Sequence, residues 1–127
     1  MAAQTDFWGE IVPAEERTPL AILREQAALL GTKTKNLVEA TVDTSVNPLA
    51  RNEFIHRFAL VVPSLGNYKY ELFRIEHGVA IYPIHTSEPP PALGLETEQE
   101  FVDWLRRKLS SVETKRIIAN LLAQAMS

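Results

Sequence analysis

Histidine is the side chain best suited to acid–base or metal chemistry near neutral pH, and this chain contains three. His56 lies in an apolar run, His77 precedes a glycine at a bend, and His85 follows the last apolar run of the same region. No H-x-x-x-H or H-x-H spacing occurs, and the strand pairing derived below keeps the three histidines apart. We therefore interpret His56 as a hydrogen-bonded core residue and predict neither a metal site nor a cofactor.

The serines and acidic residues form no recognisable catalytic arrangement. Ser64 lies in a bend, Ser110 and Ser111 lie where a helix begins, and no serine stands in a G-x-S-x-G context. The chain has no cysteine, which excludes thiol catalysis, disulfides and thiolate zinc sites. Glu71 and Glu76 are expected on opposite faces of one strand, which argues against a pair of catalytic carboxylates. The sequence therefore predicts no catalytic residue and favours a protein that is not an enzyme.

The composition is that of an ordinary globular protein of 127 residues. The formal net charge is −3 and no long basic run occurs, so we expect no nucleic-acid partner. No apolar stretch approaches the roughly 20 residues that span a bilayer, and the start MAAQTDFWGE lacks a signal-peptide pattern. We therefore expect a cytoplasmic protein without a membrane interaction. We also expect the chain to consist of a flexible arm over residues 1–17 and a single domain over residues 18–127.

The stretch from Phe54 to Ile84 predicts a β-meander. It contains three short runs rich in Phe, Tyr, Val and Ile, which are separated by bends at Leu65-Gly66 and His77-Gly78. A run from Leu37 to Asp43 precedes the meander and alternates apolar with polar residues, as a strand with one solvated face does. The sequence therefore predicts four antiparallel strands.

The positions of the two bends predict which residues share a face of the sheet. Pairing about the first bend sets Phe58 opposite Phe73 and Leu60 opposite Glu71, and pairing about the second sets Phe73 opposite Tyr82. Because side chains alternate along a strand, Phe58, Phe73 and Tyr82 are expected on one face. The first strand is expected to add three apolar residues to that face: Val38, Ala40 and Val42.

Three helices are predicted, one before the strands and two after them. Thr18-Pro19 is a typical helix start, and Gly31 is expected to end that first helix. The other two begin with capping-box patterns, at Thr97 and at Ser110. The prolines at 89–91 are expected to form a stiff extended spacer between the sheet and these helices.

These elements predict an α+β fold in the order α-β-β-β-β-α-α. A four-stranded antiparallel sheet needs at least one covered face to be stable. We therefore expect a two-layer sandwich in which the one N-terminal and two C-terminal helices pack on the aromatic face. The other face of the sheet is expected to stay open.

Arg57 and Arg74 form the binding site that the sequence supports best. The pairing about the first bend sets them opposite each other on the open face, where like charges are unfavourable. Two explanations remain open. Either Glu39 or Asp43 of the first strand neutralises the two arginines in ordinary surface ion pairs, or a partner supplies the acidic groups. Under the second hypothesis four neighbours complete a binding platform: Val61, Tyr70, Leu72 and Ile81.

Three functions are compatible with this fold. The first is a small binding or adaptor module that associates with a protein partner or with itself as a homodimer, through the sheet face or edge. The second is an enzyme or small-ligand binder with a pocket between the sheet and the helices, near His56, Tyr82 or Trp104. The third is a structural subunit of an oligomeric assembly, with the Phe7-Trp8 arm exchanged between chains. The first predicts tight packing around His56, whereas the second predicts a cavity there.

Overall fold

A computed structural model of the chain describes residues 5–49, 53–86 and 94–127. Within these ranges, three α-helices accompany a five-stranded antiparallel sheet with the strand order β1-β2-β3-β4-β5. The helices are α1 (Pro19–Lys33), α2 (Glu98–Leu109) and α3 (Val112–Ala125), and the strands are β1 (Glu39–Asn47), β2 (Glu53–Val62), β3 (Tyr68–His77), β4 (Ile84–Thr86) and β5 (Gly94–Leu95). The predicted α+β architecture is confirmed, and the sheet has one strand more than predicted.

Helix α1 begins where the sequence predicts and ends later. Thr18 Oγ1 accepts a backbone N–H of the first turn at 3.1 Å, and Pro19 takes the first position, where a missing N–H costs little. The predicted end at Gly31 is wrong, because the helix continues to Lys33. Gly31 is buried, and a Cβ at this position would lie 3.1 Å from the side chain of Asn36. Gly31 therefore lies within the helix, next to the side chain of Asn36, and does not end it.

Thr97 and the adjacent Ser110 and Ser111 cap the two C-terminal helices. Thr97 caps α2 as predicted, since its Oγ1 accepts the N–H of Glu100 at 3.1 Å. The predicted cap of α3 is wrong by one residue: Ser111, not Ser110, accepts the N–H of Thr114 at 3.1 Å. Ser110 instead closes α2, where its hydroxyl donates to the carbonyl four residues earlier at 2.7 Å.

Strands β2 and β3 form the central hairpin of the sheet. Phe58 lies opposite Phe73, as predicted. Val42 of β1 lies opposite Phe58 and so shares the aromatic face, where the sequence places it. The rings of Phe58 and Phe73 stack with their centroids 5.1 Å apart and their planes 6° from parallel. Trp104 of α2 presents an edge contact to Phe73 with a centroid distance of 5.1 Å. The helices therefore cover the aromatic face of the sheet.

A β-bulge at Leu72 shifts the register of this hairpin. Beyond the bulge Leu60 lies opposite Tyr70, and not opposite Glu71 as predicted. Leu72 packs against the hydrophobic core together with its neighbour Phe73, which the strict alternation of a regular strand would not allow. Glu71 consequently lies on the open face of the sheet.

The predicted pairing across the second bend is wrong. Residues 78–83 form a loop, and Ile75 of β3 lies opposite Thr86 of β4. In the loop the N–H of Ile81 donates to the carbonyl three residues earlier at 3.0 Å, and Ile81 has a φ of +75°. Pro83 has no N–H to donate to a strand ladder, and it was the sequence signal against a strand here. The predicted proline spacer at 89–91 lies outside the described residues.

Residues 5–16, which we call the N-terminal arm, contain neither helix nor strand. The side chains of Phe7, Trp8, Ile11 and Val12 are 71–93% exposed. No helix in the described ranges is both long and apolar enough to cross a bilayer.

Truncation of Phe101 tests the packing of the helix layer, because this side chain is fully buried. The Phe101→Ala variant is expected to lose about 3–5 kcal/mol of unfolding free energy in urea, from lost burial and the cavity left behind. Phe7→Ala is the matched control and should change stability by less than about 0.5 kcal/mol. Similar losses in both variants would contradict the packing described here.

Candidate functional site

Arg57 and Arg74 face each other across β2 and β3, as predicted. The carboxylate of Glu71 lies between them, 3.6 Å from Arg57 Nε and within 2.9 and 3.1 Å of two Arg74 nitrogens. Arg57 also donates to Ser45 Oγ of β1 at 2.8 Å. Because all three charged side chains are at least one-third exposed, each ion pair contributes only ~0–1 kcal/mol. The two arginines therefore have a shared counter-charge within the chain itself.

The source of this counter-charge differs from the prediction. Glu39 or Asp43 of β1 was expected to offset the arginines, whereas Glu71 of β3 does so through the bulge. Asp43 pairs instead with Lys69 at 2.6 Å. The bulge left no signal in the sequence, since a leucine next to a phenylalanine also suits a regular strand.

Of the six residues predicted to form one binding platform, three share the open face: Arg57, Arg74 and Val61. Leu72 packs on the opposite side of the sheet, against the core. The bulge also places Tyr70 on that side, opposite the buried Leu60, and Ile81 lies in the loop after β3. The structure therefore does not bring the six residues together.

Two of the three histidines meet, contrary to the prediction. The Nε2 atoms of His56 and His77 lie 2.9 Å apart, Thr44 Oγ1 lies 2.9 Å from His56 Nδ1, and His77 Nδ1 lies 2.8 Å from the carbonyl oxygen of Gly78. A carbonyl can only accept, so His77 donates from Nδ1 and, when neutral, accepts at Nε2 from His56. The Thr44 hydroxyl then donates to His56. The hydrogen bonds thus run in one direction, from Thr44 through His56 and His77 to the carbonyl of Gly78.

Burial disfavours the charged form of His56. His56 is 3% exposed, and its burial, with smaller effects of His77 and Arg24, lowers its pKa from the ordinary 6.5 to about 4. The interpretation of His56 as a hydrogen-bonded core residue is confirmed. The described residues include no group of three or more His, Asp or Glu side chains that could hold a metal ion.

Tyr82 and Trp104, the other two residues proposed to line a pocket near His56, are packed among neighbours. Trp104 is buried and contacts the rings of Phe73 and Phe101. The hydroxyl of Tyr82 is buried and has no hydrogen-bond partner among the described residues. Burial, with the nearby Glu98 and Glu16, raises the pKa of Tyr82 to about 12, so the phenol stays protonated at neutral pH.

A cavity of about 640 Å³, which we call the helix groove, lies between α1 on one side and α2 and α3 on the other. This volume is within the ~300–1,000 Å³ typical of ligand sites. The apolar lining comes from all three helices and from the sheet beneath them: Ile22, Leu29, Leu30, Phe58, Leu60, Leu72, Val102, Leu105, Leu109 and Ile118. Leu29 is 46% exposed, so part of the apolar lining is accessible from solvent.

Cations outnumber carboxylates around the helix groove. Among the described residues, its charged lining consists of one carboxylate, Glu25, and four cations: Arg17, Lys33, Arg106 and Lys115. Arg17 pairs with Glu25 at 2.8 Å, and Arg106 lies 3.8 Å from Asp103. Lys33 and Lys115 have no ion-pair partner in the part of the chain that the structure describes. The sequence did not reveal this site, because its cations come from separate helices that only the fold brings together.

Comparisons of the chain with protein-family models, with curated proteins and with solved structures found no match. A function must therefore be argued from the geometry and charges of the described residues.

Removal of the Glu71 carboxylate tests the arginine cluster. Glu71→Gln leaves two cations facing each other, and we expect a loss of about 1 kcal/mol of unfolding free energy at low salt. The loss should shrink in 1 M NaCl, because salt screens charges that are partly exposed. Asp43→Asn, which breaks one exposed ion pair, is the control and should cost less. A loss that is independent of salt would argue against the electrostatic role of Glu71.

The histidine chain predicts that stability falls as the pH falls from 6.5 towards 4. In that window the unfolded chain binds a proton at His56 that the folded chain, with a pKa of about 4, does not bind. We expect roughly 2–3 kcal/mol of the acid-induced loss of unfolding free energy to come from this group. Urea titrations from pH 7 to 4.5 should give a flatter profile for His56→Gln than for the parent chain. His85→Gln, at an exposed histidine, should keep the parental slope; parallel profiles for all three proteins would contradict the assignment.

Proposed function

We propose that this chain is a non-enzymatic protein-binding module whose helix groove takes an acidic, partly apolar segment of a polypeptide. The observation that carries the proposal is the combination of an apolar cavity of about 640 Å³ with a predominantly cationic rim. Apolar grooves between helices bind the apolar face of a partner segment, and complementary charge steers and orients that segment. The absence of cysteine also suits a protein that acts in a reducing compartment such as the cytoplasm.

The lining of the groove favours a polypeptide over a small metabolite. Small-ligand sites combine an apolar wall with a few convergent polar groups that fix the ligand. In the described part of the chain, the uncharged polar side chains that line the groove are Gln26 and Ser110, and His56 is not part of the lining. A lining of this kind offers apolar contact and charge attraction without a set of hydrogen bonds aimed at one molecule.

The size of the groove limits the affinity that we expect. Burial of one large apolar side chain is worth about 1.5–3 kcal/mol, so two or three anchoring side chains supply roughly 3–9 kcal/mol before the cost of association. Exposed charge pairs add little to this but speed the encounter of the partners. A dissociation constant of about micromolar or weaker is therefore the expected range.

The edge of β1 is a second candidate for association. β1 is the first strand of the sheet order, so its outer edge has no partner strand among the described residues. It is nine residues long, contains no proline, and leaves Val46 51% exposed. Unpaired edges of this kind accept an added strand from a partner. Binding at this edge would be weakened by Val46→Lys and unaffected by charge changes in the helix groove.

Binding of a peptide panel tests the groove. Three fluorescein-labelled 12-residue peptides of equal apolar content, one acidic, one uncharged and one basic, would be titrated with the full chain and followed by anisotropy. We expect the acidic peptide to bind most tightly, because Lys33 and Lys115 have no ion pair to lose among the residues that the structure describes. Lys115→Glu should raise its Kd about tenfold, equivalent to ~1.4 kcal/mol.

Arg116→Glu is the matched control for this titration. It makes the same charge change at the neighbouring, exposed position of α3, outside the lining of the groove. It should leave the Kd of the acidic peptide within about twofold. Equal weakening by both variants would show that only the net charge matters, and no preference among the three peptides would refute the proposed groove function.

A further inference from the structure

The helix groove has a candidate occupant within this chain. Resting on the proposed function of the groove, we propose that the N-terminal arm of a second copy of this chain binds there, and that two copies exchange their arms in a reciprocal homodimer. The arm has the composition that the groove would select, and each copy would then contribute part of the other's binding site. Four observations support this assignment.

The arm presents large apolar side chains that its own chain leaves uncovered. Phe7 is 93% exposed and Trp8 is 81% exposed, and Ile11 and Val12 are both 71% exposed. A cluster of this kind on the surface of a single chain marks an interaction site, and aromatic residues are the usual anchors of interfaces. Their exposure in the single chain leaves them accessible to a second copy.

The arm is also partly organised before it binds. The N–H of Trp8 donates to Asp6 Oδ1 at 2.9 Å, which closes a local turn, and Gly9 follows with a φ of +67°. Asp side chains commonly stabilise turns in this way. The turn presents the two aromatic residues together, which lowers the ordering cost of binding.

The charges of arm and groove are complementary. The arm carries four carboxylates and no Lys or Arg: Asp6, Glu10, Glu15 and Glu16. The groove has four cations against one carboxylate, and its Lys33 and Lys115 have no ion-pair partner among the described residues. An acidic apolar segment and a basic apolar groove attract each other, and salt weakens that attraction.

Arg17 fixes the base of the arm at the rim of the groove. Its N–H donates to Glu98 of α2 at 3.3 Å, its guanidinium pairs with Glu25 of α1 at 2.8 Å, and it is itself a lining residue. From that point the ten residues back to Phe7 reach up to about 33 Å when extended. Two grooves that face each other can therefore exchange arms about a two-fold axis, so that both contacts are identical.

Sedimentation measurements of the full chain over a range of concentrations test the exchange. We expect a concentration-dependent dimer for the parent chain and a monomer for the double variant Phe7→Ser with Trp8→Ser. Leu29→Glu, which puts a carboxylate in the groove, should weaken the dimer at least tenfold, and raised salt should weaken the parent dimer. Val112→Glu is the matched control, because this exposed residue of α3 lies outside the groove and an acidic residue suits the start of a helix.

Titration of the same variants with the acidic peptide separates the two proposals. If the arm occupies the groove, the Phe7→Ser, Trp8→Ser variant should bind the peptide more tightly than the parent chain. A parent chain that is monomeric at every concentration overturns the exchange; tighter peptide binding by the arm variant would then show that the arm covers its own groove. A dimer that survives both the arm variant and Leu29→Glu also overturns it. Absence of peptide binding in the arm variant would instead refute the groove function, whatever the oligomeric state.

Discussion

The contact of three aromatic rings holds the sheet and the helix layer together. Phe58 and Phe73 stack across the central hairpin, and Trp104 of α2 packs its edge against Phe73. Such ring pairs add about 0.5–1.5 kcal/mol each beyond the burial of their surface. Because they require Phe58 and Phe73 on one face, they also determine which side chains of β2 and β3 face the helices. This assignment of side chains to the two faces also determines where the open face, the buried histidine pair and the floor of the groove lie.

The bulge at Leu72 reconciles this packing with the charges on the other face. Two consecutive residues of β3, Leu72 and Phe73, both contact the core. The extra residue also moves Glu71 to the open face, where it lies between Arg57 and Arg74. A regular strand would have kept Glu71 on the apolar side and left the arginines without it. One local irregularity thus avoids a buried carboxylate and gives the two facing arginines a shared counter-charge.

The helix layer does not close completely over the sheet, and the groove results from this. α1 comes from the N-terminal part of the chain and α2 and α3 from the C-terminal part, so the gap between them is a boundary between distant segments. Apolar residues line the groove from both sides, and cations lie around its rim. The arm begins at the same place, since Arg17 bonds to both α1 and α2. The exposed apolar side chains of the arm therefore leave the fold beside an apolar cavity that is open to solvent.

Local rules in the sequence determined the helices, the central hairpin and the face that is buried. Thr18-Pro19 and Thr97 mark their helix starts because capping depends on neighbouring atoms alone, and alternation assigned Phe58 and Phe73 to the core because side chains repeat every two residues. The tertiary structure decided what depends on distant segments: the bulge at Leu72 and the contact of His56 with His77. The tertiary structure also creates the groove, because the cavity and the cations around it exist only where helices from both ends of the chain come together.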